Sequence, residues 1–500
     1  MRARLGVDLA ATFNLVGGLL KYVSLTPLVP AAVAIGYGES PAPFLLATAI
    51  GFFCGWGMER ISYGKRQVGV REGFLVVSLT WLLAAAVGAL PYWLTADPQF
   101  ADPVDCYFEA MSGFTTTGAT IVTDIEGLPH GLAIWRQLTQ WLGGMGIIVL
   151  ALAVLPRLRV GGRQLLETEL PGPEVEEITL RIRQTAQRLW LLYIALTVLM
   201  ATVLTIVAWS GIDSAMTFYD AVAHALTTLP TGGFSTRARS IEEFGAESQW
   251  VIGFFMVLGG INFALMYRAF VRRQPRAFLR DEEFRLYVAL LALGAALLAI
   301  ELWTEGVLRG EAAVRHSFIS AVSVMTTTGY ASADFNEWPL LAAIFLVALM
   351  FVGGSAGSTT GSVKVIRHLL LGRILGRELD QTVHPEVVDR IHLNRRPVDE
   401  RTLRAVASFV LLYVGVFAVG ALLLFIDAAR VDSGLPMLDA VSAAAATIGN
   451  VGPAFGFAGP MGSYEPFSDV SKIVMIVLMW VGRLEIIPVA VLLTRNYWRV

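Results

Sequence analysis

Four short stretches rich in threonine and glycine interrupt long apolar runs: Met111-Ser-Gly-Phe-Thr-Thr-Thr-Gly-Ala-Thr120, Thr227-Thr-Leu-Pro-Thr-Gly-Gly-Phe-Ser235, Met325-Thr-Thr-Thr-Gly-Tyr330 and the more degenerate Thr447-Ile-Gly-Asn-Val-Gly-Pro-Ala-Phe-Gly456. None of them holds a nucleophile beside a base. What they offer is backbone carbonyl oxygen, which can replace the hydration shell of a cation when several loops share one axis. Glycine supplies the backbone angles that aim successive carbonyls inward. Aligned on a glycine, the four place Gly118, Gly232, Gly329 and Gly452 in equivalent positions, with Thr116, Thr117, Thr231, Thr327, Thr328, Asn450 and Val451 beside them. The plain alternative is four turns between helices. Recurrence along the chain argues for a shared task and dictates the architecture.

Such loops need a particular setting. Thr-Thr-Gly is a poor helix former, and non-helical backbone at membrane depth survives only inside protein or beside an aqueous path. The composition supplies the membrane: 55% hydrophobic and 16% charged residues, with a mean hydropathy of +0.62. The net charge of −2 and the lack of a basic–aromatic patch give no reason to expect nucleic acid. Cys54 and Cys106 suggest neither a disulfide framework nor a metal centre. No His-Glu-x-x-His or Gly-x-Ser-x-Gly motif supports an enzyme. The basic start Met-Arg-Ala-Arg-Leu leads into a long run containing Asp8, Asn14 and Lys21, which reads as a retained first span.

A span needs about 20 apolar residues. Two leading spans fit 8–36 and 41–60, and a unit then repeats four times: span, short amphipathic piece, loop, span. The spans fall at 75–95 and 134–155, 188–210 and 249–270, 285–303 and 337–371, and 404–426 and 469–494. The expected fold class is therefore an all-α membrane protein, with two leading transmembrane helices and four parallel helix–pore loop–helix repeats around a pseudo-fourfold ion pathway. The corresponding divisions are 1–70, 71–170, 171–280, 281–395 and 396–500.

The short pieces before the loops begin near Val104, Thr217, Val314 and Met437 and are too short to span. Their helix C-termini, partially negative, would face the loops and favour a cation. Asp105, Glu109, Asp220, His224, His316 and Asp439 on these pieces are either functional or paired with neighbouring segments.

Basic residues collect in the segments that lack filter sequences: Arg60, Lys65, Arg66 and Arg71, then Arg157, Arg159, Arg163, Arg181, Arg183 and Arg188, then Arg268, Arg272, Arg273, Arg276 and Arg280, then the 364–404 linker. The loop sides carry acids such as Asp97, Asp124, Glu126, Glu242 and Asp334. The positive-inside rule then puts the basic segments and both termini in the cytoplasm, and opens every loop to the outside.

Two further features are chemically loaded. Gly353-Gly-Ser-Ala-Gly-Ser-Thr-Thr-Gly-Ser-Val-Lys364 breaks the second span of the third unit. It lacks the Gly-Lys-Ser/Thr ending of a P-loop. It is either a gate below the third loop, with Gly353, Gly354, Gly357, Ser358, Thr359, Gly361 and Lys364 as its working residues, or a packing kink. Gly482-Arg-Leu-Glu485 places charges in the last span, where they face the interior or a partner. Arg483 either repels cations or hydrogen-bonds carbonyls of the broken segment, or is simply neutralised by Glu485 or by an acid elsewhere.

Taken together, the four units, the Thr-Thr-Thr-Gly and Thr-Gly-Gly-Phe-Ser loops, the Gly353–Arg367 stretch and Gly-Arg-Leu-Glu485 resemble the Trk, Ktr and HKT potassium transporter superfamily. The two leading spans make the chain most similar to the bacterial TrkH/TrkG branch. That resemblance implies multi-pass residence in a bacterial cytoplasmic (inner) membrane among membrane lipids, and potassium uptake through a channel-like pore. In it, K+ is the transported ion, held by backbone carbonyls, with no bound cofactor and no enzymatic activity. It further implies that Gly118, Gly232, Gly329 and Gly452 are filter glycines, that 353–364 gates from the cytoplasmic side, and that Arg483 is a pore-facing arginine. A homodimer and a cytosolic TrkA-like nucleotide-binding regulatory subunit are its implied partners. Pro230, Thr231 and Ser362 depart from the commonest family pattern. The rival reading is an ion-coupled secondary transporter for sodium or another cation.

Overall fold

The computed structural model describes residues 7–60, 69–153, 175–386, 390–432 and 434–499, with the side chains of 147–153 and 175–183 outside the description. Lys65, Arg66, Arg157, Arg159 and Arg163, and the side chains of Arg181 and Arg183, thus lie outside the described residues. The protein is helical, and the one sheet among the described residues is a hairpin of β1 (His392–Leu393) and β2 (Arg396–Pro397).

Helices α1 (Leu9–Val23), α2 (Leu28–Gly36) and α3 (Ala42–Arg60) lead the chain. α1 and α3 cross on glycines: a Cβ on Gly17 would meet the Gly55 carbonyl at 2.5 Å, and one on Gly55 would meet the Gly17 carbonyl at 2.8 Å. Small residues let apolar helices approach closely where no hydrophobic effect drives them together. This group packs on α4 (Val70–Thr95) and α6 (His130–Ala153), which flank the re-entrant α5 (Pro103–Phe114).

The second unit holds α7 (Val175–Trp209), α8 (Phe218–Thr228), α9 (Ala246–Gly259) and the short α10 (Phe263–Met266), which runs into a π-helical turn at Tyr267–Val271. After α11 (Arg276–Arg280), the third unit has α12 (Glu282–Thr304), α13 (Gly310–Met325), α14 (Leu340–Leu349) and α15 (Val365–Val383). The fourth has α16 (Glu400–Arg430), α17 (Met437–Gly449), α18 (Asp469–Arg483), α19 (Ile487–Leu492) and α20 (Arg495–Trp498). The units close on one another: α6 meets α8, α9 meets α13, α15 meets α16, and α18 returns to α5.

Six helices among the described residues are long and apolar enough to cross a membrane, or seven counting the bent pair of the second unit. Exposed Leu199, Ile206, Leu293, Ile300, Leu411 and Leu422 cover their outer faces, as a lipid-facing surface requires. The sequence pattern suggested ten spans, and the difference lies in the second helix of each unit: the side chains of α6 are described only as far as Gly146, and the other three second helices are broken. The second unit bends by 102° between Gly259 and Phe263. There Asn262 starts a new helix by accepting from the Ala264 and Leu265 amides at 2.8 and 3.1 Å. The fourth breaks at Glu485 and Ile486, both at φ 58°. Hydropathy averaged over a span does not register such breaks, because apolar residues continue on both sides of them.

Candidate functional site

Each re-entrant helix ends in the same hydrogen-bonded cap. In the first, the Thr116 amide donates to Gly113 O at 2.9 Å and the Thr117 amide to Ser112 O at 2.8 Å. The equivalent pairs are Thr231 to Thr228 and Gly232 to Thr227, Thr327 to Val324 and Thr328 to Ser323, and Asn450 to Thr447 and Val451 to Ala446. This is the Schellman pattern, which turns the chain through one left-handed residue. Those residues are Thr116, Thr231, Thr327 and Asn450, at φ 52°, 57°, 54° and 54°. A β-branched threonine there is an outlier that costs about 1–3 kcal/mol and persists only where the surroundings impose it.

The repeat corrects the alignment of the second loop. Two residues after each left-handed residue comes a positive-φ glycine: Gly118 at 83°, Gly233 at 81°, Gly329 at 86° and Gly452 at 107°. Gly233, not Gly232, is therefore the partner of the other three. Gly232 sits in the slot of Thr117, Thr328 and Val451. Adjacent glycines hid the register, and the aromatic residue could have revealed it, since Phe234 follows Gly233 as Tyr330 follows Gly329.

These glycines interlock in a ring. A Cβ on Gly118 would strike the Gly232 carbonyl, on Gly233 the Thr328 carbonyl, on Gly329 the Val451 carbonyl, and on Gly452 the Thr117 carbonyl, each at 2.7 Å or less. The order runs first, second, third, fourth and back to first. Among the described residues, the carbonyls of Thr117, Thr328 and Val451 accept no hydrogen bond. That of Gly232 accepts from Gln140 Nε2 at 2.7 Å, while Gln140 Oε1 accepts from the Phe234 amide at 3.0 Å. Hydroxyl pairs stiffen the loops: Thr115 with Thr117 at 2.7 Å, and Thr326 with Thr328 at 2.8 Å. Asn450 Nδ2 joins the fourth loop to Thr117 Oγ1 at 3.0 Å. The four helix C-termini, each a partial negative charge, converge on a ring of carbonyl oxygen.

The helix polar residues are braces behind this ring. Glu109 lies seven residues before Thr116, and His224 stands at the same place before Thr231. Glu109 pairs with buried Arg136 at 2.7 Å and accepts from Thr120 Oγ1 and the Ile121 amide. His224 Nε2 bonds Ser235 Oγ at 3.1 Å. Asp105 pairs with Lys472, Asp220 with Arg237, and His316 with Ser332 Oγ. Structural pairing thus accounts for these five, and Asp439 packs close to Gly456.

The broken segment lies across the C-terminal side of the ring. Gly353 N donates to Val363 O at 2.9 Å, closing it as a loop whose two ends pair in parallel. Its contacts reach three loops: the Gly361 amide donates to Thr327 Oγ1 at 2.8 Å, Thr359 Oγ1 donates to Leu229 O at 2.9 Å, and Gly361 abuts Gly449 O. Gly354 abuts the Gly260 carbonyl, and the Gly357 carbonyl accepts from the Phe263 amide. Lys364 Nζ, buried, donates to Ser358 Oγ at 3.5 Å, Thr360 Oγ1 at 2.8 Å and the Thr360 carbonyl.

Arg483, 2% exposed, donates to Thr359 O at 2.7 Å and Gly143 O at 3.1 Å. Glu485 pairs instead with Arg367. Of the two readings of Arg483, the geometry favours bonding to the broken segment.

The comparison with known families decides the chain's kinship: the family described as TrkH, a cation transport protein, matches residues 52–499. The chain belongs to this family. It is 36% identical to the Trk system potassium uptake protein TrkH of Escherichia coli K12, over 98% of this chain and 99% of that one. It is 33% identical to TrkG of the same strain, over 97% and 98%. The crystal structure of the potassium transporter TrkH from Vibrio parahaemolyticus superposes with a TM-score of 0.87 at 34% identity, covering 99% of this chain and all of that one. This is a family of multi-pass membrane transporters, not of enzymes.

In this TrkH-family chain, three residues escaped the sequence reading besides Gly233. One is Gln140, which holds a ring carbonyl. Another is Tyr464, whose hydroxyl donates to Gly452 O at 2.7 Å. The third is Glu283, whose Oε1 accepts from the amides of Ala356 at 2.6 Å and Ile366 at 3.2 Å, clamping both ends of the broken segment. A glutamate at the start of a span reads as an ordinary helix cap, which conceals it.

Proposed function

We propose that this chain carries potassium inward across a bacterial cytoplasmic membrane through the ring of carbonyls. The observation that supports this best is the cyclic packing of Gly118, Gly233, Gly329 and Gly452 on the carbonyls of Gly232, Thr328, Val451 and Thr117. Preorganised carbonyls replace the hydration shell of a large monovalent cation, and the strained caps hold them in place against relaxation. In this reading Thr116, Thr117, Gly118, Thr231, Gly232, Gly233, Thr327, Thr328, Gly329, Asn450, Val451 and Gly452 form the filter.

The segment from Gly353 to Lys364, with Arg483, forms the barrier beneath it on the cytoplasmic side. A fixed guanidinium there repels an arriving cation, and conduction requires the segment to leave Arg483, Leu229 and Thr327. Membrane potential alone is a sufficient driving force, at about 2.3 kcal/mol per 100 mV for a monovalent ion. The names of the relatives, subunits of a Trk system, support a regulatory partner, which we take to be a cytosolic nucleotide-binding TrkA-like subunit acting on a homodimer. The basic segments and both termini face the cytoplasm.

The test is rubidium flux into liposomes at clamped potential, with sodium as competitor. Flux that follows the potential and resists sodium supports the pore. Flux that requires a proton or sodium gradient replaces it with a coupled transporter.

A further inference from the structure

A cavity of about 1300 Å³ opens where the second and third units join, on the broken segment's side of the ring. Nine arginines line it against two carboxylates. Both carboxylates are committed elsewhere. Glu282 pairs with Arg373 at 2.6 Å, and Asp281 accepts from the Phe284 amide at 2.8 Å and from Asn394 Nδ2 at 3.1 Å. Among the described residues, Arg268, Arg273, Arg276, Arg280 and Arg395 form no ion pair. Each is exposed. So much like charge in one hollow is repulsive without a counter-ion, and guanidinium forks match phosphate oxygens in geometry and charge.

The rim says where that phosphate comes from. After the 102° bend, the Phe263–Val271 segment runs nearly across the direction of α9. With α9 along the membrane normal, this segment runs roughly parallel to the bilayer plane. Phe270, Val271 and Leu279 are 56%, 55% and 72% exposed there, interleaved with the arginines. Exposed apolar side chains beside a basic cluster are the pattern of a segment seated at a headgroup layer.

We propose that this cavity binds a phosphate-bearing anion, and that its apolar rim selects the headgroup of an anionic lipid over free phosphate. The site adjoins the gate through three consecutive residues. Asp281 and Glu282 line the cavity, and Glu283 beside them clamps the amides of Ala356 and Ile366. The hairpin tip at Asn394 is tied to the same turn, since its Oδ1 accepts from the Glu282 amide at 2.9 Å. Occupancy would therefore bear on the start of α12 and, through it, on the broken segment.

Binding can be measured without any ion flux, so the outcome stands apart from the potassium reading. The purified chain in phosphatidylcholine-containing micelles is titrated with fluorescent phosphatidylglycerol, and bound probe is then challenged with inorganic pyrophosphate. Two double variants are compared: Arg276→Gln/Arg280→Gln in the cavity, and Arg401→Gln/Arg404→Gln, exposed arginines outside it with the same charge change. Thermal unfolding verifies that both are folded. The expected result is preferential binding of phosphatidylglycerol, weakened about tenfold by the cavity variant and unchanged by the other. Resistance to pyrophosphate assigns the site to lipid, and displacement by it assigns the site to free phosphate. Absence of preference over phosphatidylcholine, or equal weakening by both variants, overturns the proposal.

Discussion

Arg483 donates to the carbonyl of Thr359 at 2.7 Å, and this bond ties α18 to the segment that lies beneath the carbonyl ring. Its position has an internal logic. Gly143-Gly144, Gly259-Gly260, Gly353-Gly354 and Gly482-Arg483 follow an apolar residue at corresponding places in the four units. The first glycine packs on the last turn of its own re-entrant helix: Gly143 on Phe114 O, Gly259 on Leu229 O, and Gly482 on Ile448 O. In the third unit the helix has already ended, and Gly353 packs on Gly361 O instead. The fourth unit alone puts a side chain at the second place, and that side chain is a guanidinium.

Replacing Arg483 with glycine restores the pattern of the other units and removes both the charge and the bond. A charge-assisted hydrogen bond is worth about 1.5–3 kcal/mol. If the closed state loses that much, potassium flux rises by roughly tenfold or more, and liposome flux measures it. An unchanged rate with folded protein would mean that the arginine is not part of the barrier.

Glu283 makes a separate prediction, because it holds the segment at both ends. Glu283→Gln keeps the shape and an oxygen within reach of both backbone amides, but replaces the carboxylate by a neutral, weaker acceptor. Each weakened bond costs about 1.5–3 kcal/mol. Hydrogen exchange should accelerate at the Ala356 and Ile366 amides and leave the re-entrant helices untouched. Exchange that accelerates everywhere, or nowhere, contradicts the clamp.

The register of the second loop can be tested by rescue. Gly232→Ala brings a Cβ against the flexible Gln140 side chain, whereas Gly233→Ala strikes the Thr328 backbone at φ 81°. Shortening Gln140 to alanine should restore flux to the first variant but not to the second. Restoration of both would return Gly232 to the glycine position assigned from sequence alone.

Outside the spans, Glu39 sets a pH dependence. It accepts from the His130 and Gly131 amides at 2.7 and 2.9 Å and from His130 Nδ1 at 3.0 Å, capping α6. Burial pushes its carboxyl upward, but the bonds from Gly131 and His130 outweigh burial and leave it below the usual glutamate range. Its stabilisation is therefore full above the unfolded carboxylate value and fades as pH falls through the lower folded value. Thermal unfolding of Glu39→Gln should lie below wild type at pH 7, by about 1 kcal/mol. The two should converge on acidification. A constant gap would refute the assignment.

How much of this was legible in the sequence follows from what each feature rests on. The re-entrant helices and their loops were visible, because Thr-Thr-Gly between apolar runs contradicts both helix propensity and hydrophobic periodicity. The broken third span was visible for the same reason. The bends after Gly260 and Arg483 were not, since Ile261 and Leu484 keep the hydropathy high while the backbone turns. Gly233 was lost to its neighbouring glycine, a choice that only dihedral angles settle. Gln140, Tyr464 and Glu283 act across the fold on backbone groups far away in sequence, where no local pattern points to them.

The central claim is that the four loops form one selective ring, and rubidium uptake into liposomes at clamped potential tests it most directly. Wild-type protein and Gly233→Ala are compared with excess external sodium. The account predicts wild-type uptake that scales with the potential, survives sodium, and falls to background in the variant. Gly233→Ala protein that carries rubidium at the wild-type rate, with the same resistance to sodium, would contradict it.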